Sequence, residues 1–111
     1  MPERYLHLLV RLTDMTHNNK VHWNTGPDRW TFLLSLPEGS IQIRDSGAAP
    51  DTEFTFTILN RSGEEVESFI RRTTSEETAA LRALWNLAKD NALKITETLN
   101  GIESRLERLD S

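Results

Sequence analysis

The chain has 111 residues, with 17 acidic and 13 basic side chains, a formal charge of −4 and no cysteine. That length supports one domain with a modest core. The acidic balance disfavours a nucleic-acid partner, which needs concentrated positive charge, and the lack of thiols excludes disulfides, thiolate metal sites and cysteine nucleophiles.

Residues 3–17 carry Tyr5, Leu8, Leu9 and Leu12 on one side of a helix, with Arg4, Arg11 and Asp14 on the other. Leu6 and Val10 widen the apolar face, as expected of a helix laid on a sheet. Charges close this short apolar run, so neither a signal peptide nor a membrane span is expected, and a cytoplasmic setting is. Val21, His22 and Trp23 read as a brief extended element. After the turn residues at 24–28, Trp30, Phe32, Leu34 and Leu36 alternate with Arg29, Thr31, Leu33 and Ser35, the strongest strand pattern in the chain. Residues 37–40 connect it to a return strand through Ile41 and Ile43.

Residues 46–51 read as a loop without an apolar anchor. Phe54, Phe56 and Ile58 then alternate with Thr55, Thr57 and Leu59, a composition that favours strand. A turn at 60–63 leads to an outgoing strand at 64–71. Its alternation places Val66, Ser68 and Ile70 on one face and Glu65, Glu67 and Phe69 on the other, which the glutamates mark as wet. Phe69 would thus share the wet face with Leu33 and Leu59, where the first helix, sheet curvature or a partner would cover them. The whole predicts an α+β fold: a short N-terminal helix, a four-stranded antiparallel sheet and a long C-terminal helix.

That last helix opens on a capping box, Thr74 with Glu77. Leu81, Trp85, Ala88, Ala92, Ile95, Leu99, Ile102, Leu106 and Leu109 then recur at alternating steps of four and three, a heptad rhythm. The register holds across Asn100-Gly101, which favours continuity although glycine costs roughly 1 kcal/mol against alanine. One helix over 74–109 would be roughly 54 Å long, whereas strands of this length reach about 20–24 Å. The expectation is a single domain over 1–111, in which 92–111 extends past the body as an oligomerisation element. Ala92, Ile95, Leu99, Ile102, Leu106 and Leu109 would form its contact. Leaving such side chains bare forfeits about 1.5–3 kcal/mol each, against a net stability of about 5–15 kcal/mol.

Trp23 and Trp30, with Arg29 and His22 nearby, are residue types favoured at recognition surfaces, and Trp23, Trp30, Arg71 and Arg72 form the candidate ligand or partner site. His17 and His22, near Asp14 and Asp28, match no metal-ligand spacing, and no cofactor or metal is expected. The carboxylate pairs Glu64-Glu65 and Glu76-Glu77 flank a turn and open a helix, and no nucleophile motif accompanies the serines. Enzymatic activity is therefore not expected.

Six runs carry a resemblance: residues 20–25, 30–36 and 40–43 in the first half, 54–60 and 63–66 beyond them, and 81–88 in the last helix. Together they resemble a largely uncharacterised group of small bacterial and phage-associated proteins. The resemblance implies a helix–sheet–helix plan and a microbial or prophage origin, and no particular chemistry. The resulting expectation is a non-enzymatic homo-oligomeric binding or scaffolding protein assembled through its C-terminal helix. The alternative is a binder of a nucleotide or signalling metabolite, with a pocket near Trp23, Trp30, Arg71 and Arg72.

Overall fold

In the computed structural model, which describes residues 1–47, 52–72 and 76–110, helix α1 (Glu3–His17) precedes five strands. These are β1 (Asn24–Thr25), β2 (Thr31–Leu36), β3 (Gly39–Asp45), β4 (Phe54–Asn60) and β5 (Glu65–Arg71), followed by helices α2 (Glu76–Leu93) and α3 (Ile95–Asp110). The strands form one antiparallel sheet in sequence order. The α+β class and the helix–sheet–helix plan are as predicted, with five strands in place of four. The extra one, β1, falls just after the extended element read at 21–23 and pairs Asn24 with Leu33. The capping residue Thr74 and most of the 46–51 loop lie outside the described residues.

A meander results because each connection between neighbours is short. At the β4–β5 turn, Asn60 Oδ1 accepts the backbone N–H groups of Ser62 and Glu64, each at 3.0 Å, and Gly63 takes φ +83°. Only glycine adopts that conformation without a Cβ penalty.

Pairing then aligns Phe32, Ile43, Phe56 and Phe69 in one row across four strands, with Leu34, Ile41 and Ile58 in a second. Side chains alternate along each strand, so both rows point to one face. Leu9 and Leu12 of α1, and Leu81, Leu84, Trp85 and Ala88 of α2, close over that face to make the core.

Phe69 therefore belongs to the covered face, opposite to the prediction, and its ring lies 5.0 Å from that of Tyr5. Val66 and Ile70 are the exposed members, at 59% and 51%. The glutamates misled because β5 is an edge strand. A charge such as Glu67 there blunts an open edge even on a face that is buried further in, while Glu65 pairs with Leu59 on the far face. A register shift between Ile58 and Leu59 also leaves Val66 without a paired residue. Leu33 and Leu59 remain on the far face, and neither helix covers them.

Helices α1 and α2 lie side by side and run the same way. The Met1 amino group meets Glu77 at 3.0 Å, while α1's last turn reaches the end of α2 through Trp23. Helix α2 crosses the sheet from β5 to β1: Glu77 bonds Arg71, Trp85 packs on Phe32, and Asn91 holds the chain beside β1. Asn91 Oδ1 accepts the Trp23 N–H at 2.7 Å and Nδ2 donates to Val21 O at 3.0 Å.

The C-terminal helical region is interrupted at Lys94, with φ +53°, and continues unbroken through Asn100 and Gly101. Lysine is a good helix former, so no local propensity marked this position. The left-handed conformation costs about 1–2 kcal/mol. It is offset by Asp90, whose Oδ1 accepts both the backbone N–H of Thr96 at 3.1 Å and its hydroxyl at 2.9 Å, starting α3 afresh. No helix among the described residues is long and apolar enough to cross a membrane.

Candidate ligand-binding rim

The candidate rim begins at the turn before β2. Asp28 Oδ1 accepts the Trp30 N–H and the Thr31 hydroxyl, each at 2.9 Å, while Arg44 lies 3.7 Å from Oδ2. The Trp30 backbone bond, then the Thr31 hydroxyl, with the Arg44 charge adding to them, hold the Asp28 carboxyl below its ordinary range. Trp30 is thereby set at the mouth of the strand. Its carbonyl accepts the Asp45 N–H at 3.0 Å and the Trp85 indole N–H at 2.9 Å.

The two indoles stack, with centroids 6.4 Å apart and planes 23° from parallel. Cations sit on both: Arg29 is 4.7 Å from the Trp30 ring and Lys89 is 5.4 Å from that of Trp85. Arg82 lies 5.7 Å from Phe54, which begins β4, two strands beyond β2. None of these three cations forms an ion pair with an acidic side chain among the described residues. In a chain of net charge −4 these three cations lie on the rings of Trp30, Phe54 and Trp85. Gly47, at φ +74°, lies against the indole. A Cβ there would come within 2.8 Å of Trp30 Cε2, so only glycine lets the loop approach so closely.

Of the four residues read as a site, Trp30 alone lies in this rim. Trp23 is 3% exposed, its indole N–H donating to Thr16 Oγ1 at 3.0 Å, and it belongs to the core. Arg71 and Arg72 share the same end of the sheet but are held by Glu77 and Glu53. Arg29 was legible as the neighbour of Trp30, whereas sequence reading missed Arg82, Trp85 and Lys89 as a group. The spacing 82, 85, 89 puts these three on one helix face, a signal absorbed by Trp85's membership of the seam.

The Arg71 bond, then that of the Met1 amino group, holds the Glu77 carboxyl below its ordinary range. A lowered folded value means stability present above the unfolded carboxylate pKa and lost as pH falls through the folded one. Glu77→Gln is therefore expected to cost about 1 kcal/mol or less at pH 7. The difference from wild type should shrink towards zero as denaturant midpoints are followed down to pH 3.

Two concavities lie elsewhere. A polar cleft of about 840 Å³ at the α1–α2–α3 junction is lined by His17, His22, Asp90, Lys94 and Glu97 among others. Among the described residues no group of three or more His, Asp or Glu is placed to hold a metal. A shallower apolar groove of about 390 Å³ runs between α1 and α2, past Val10, Ala83 and Leu87. On α3 the seam residues Leu99, Ile102, Leu106 and Leu109 are 52%, 52%, 58% and 73% exposed, and no residue of that helix is buried.

Compared with protein-family models, with curated proteins and with solved structures, the chain finds no match. The helix–sheet–helix plan that the resemblance implied is present, and no family assignment accompanies it.

Proposed function

We propose that this chain is a non-enzymatic binding protein whose rim takes an anionic small molecule with a flat ring, of the nucleotide class. The observation that carries this reading is the cation–indole–indole–cation stack of Arg29, Trp30, Trp85 and Lys89. A planar ring can replace the Arg29 guanidinium on the half-exposed Trp30, and the displaced cation with Arg82 and Lys89 can meet a phosphate. Ligand at ten times its Kd stabilises the folded state by about 1.4 kcal/mol, a shift of several degrees in Tm. Thermal unfolding with a panel of mononucleotides and cyclic dinucleotides tests it, read beside indole fluorescence. Arg29→Ala with Lys89→Ala should abolish the shift while leaving the unliganded fold intact. No shift at millimolar ligand across the panel would refute the reading.

A second reading is a homo-oligomeric scaffold assembled through α3. It is favoured by the bare apolar seam, since Leu99, Ile102, Leu106 and Leu109 are each more than half exposed.

A further inference from the structure

We infer that α3 packs against α3 of further copies in parallel and in register, as a bundle of three or four strands. This rests on the second reading above and goes beyond it to orientation, register and number. Helix α3 is turned so that its polar back meets its own body. Thr96, Glu97 and Asn100 line the junction cleft, while Leu99, Ile102, Leu106 and Leu109 look outward. The radius of gyration is 15.8 Å with a longest extent of 55 Å, where a compact chain of this length has a radius of about 13 Å, and α3 contributes no buried residue. An isolated helix of 16 residues is marginal in water, so its order depends on a neighbour.

The charges beside the seam favour the helix itself as that neighbour. Leu99 and Leu106 occupy the a positions of the heptad, and Ile95, Ile102 and Leu109 the d positions. Arg105 precedes an a residue and Asp110 follows a d residue, five positions later. In a parallel, in-register pair these are the g and e positions that meet across the interface, so Arg105 of one copy faces Asp110 of the next. An antiparallel pair instead sets e against e, which brings the acids Glu103 and Asp110 together. The number follows from the side-chain shapes. Leucine at both a positions with isoleucine at two of the three d positions fits three- and four-stranded bundles better than dimers, and a wider bundle buries more of each short helix.

Light scattering on the full chain at about 100 µM is the first test, with an expected mass three or four times 12.7 kDa. A monomer overturns both this inference and the scaffold reading, whereas a dimer overturns only the bundle. Orientation is read with a single cysteine, which is clean because the native chain has none. Leu109→Cys should give a disulfide-linked pair on mild oxidation, and Ser104→Cys, on the outer face, should not. Failure of Leu109→Cys to cross-link in an oligomeric sample overturns the parallel register. Leu99→Glu with Ile102→Glu should yield a monomer with native tryptophan fluorescence, since the body's core lies outside α3. If that variant keeps the oligomeric mass, α3 is not the contact.

Discussion

Trp85→Ala is expected to lower stability by about 3–5 kcal/mol, the range for removing a buried aromatic side chain. Trp85 is 6% exposed and packs three ways: edge-on to Phe32 at 5.6 Å, stacked on Trp30, and under Lys89. Its N–H also joins α2 to the Trp30 carbonyl, so the truncation opens a void and removes a helix–sheet bond together. The Asp45 N–H still reaches that carbonyl, so no buried acceptor is orphaned and the cost is mainly one of packing. Against a total of about 5–15 kcal/mol, a loss of this size moves the urea midpoint by on the order of 2 M at unchanged slope. Trp85→Phe should restore roughly half of it by refilling volume without the bond. A loss under about 1 kcal/mol for the alanine variant would mean that the indole is not packed as described. The same substitution should abolish ligand-induced stabilisation, since Trp85 is half of the indole stack.

Asn91→Ala is expected to cost about 2–3 kcal/mol, from two backbone groups that lose their partner at once. Asn91 accepts from Trp23 N–H and donates to Val21 O, contacts 68 and 70 residues distant in sequence. It thereby attaches β1, only two residues long, to the last turns of α2. Asn91→Asp separates the two bonds. A carboxylate can still accept from Trp23 but cannot donate to Val21, so an intermediate loss is expected. Hydrogen exchange at the Trp23 amide should quicken in both variants, by more for alanine. If exchange there is unchanged, the attachment is made by packing alone.

The α+β class and most strand positions were legible in local pattern. Trp30, Phe32, Leu34 and Leu36, like Phe54, Phe56 and Ile58, alternate with a period of two that only a strand with one buried face satisfies. Continuity through Asn100-Gly101 was legible too, because a register carried from Leu99 to Ile102 is a local property. The face of β5 was not. Alternation gives two possible faces, and only the pairing of Phe69 with Phe56 decides which one meets the helices. The break at Lys94 was equally hidden, since it depends on where the body stops supporting α2 and on the Asp90–Thr96 bonds.

The candidate site divides in the same way. Trp30 stood out by composition with Arg29 beside it in sequence, but Trp85, Lys89 and Arg82 belong to α2, and their arrival at Trp30 is set by that helix crossing the sheet. Trp23 carries the same side chain and became core, because Thr16 and Asn91 close around it. By itself the sequence determined the periodicities: which segments are strands, which are helices, and that the last one carries an apolar seam. The tertiary structure alone decided which side of β5 is dry and which apolar residues of the last helices are covered, because burial is a property of neighbours that no local repeat contains.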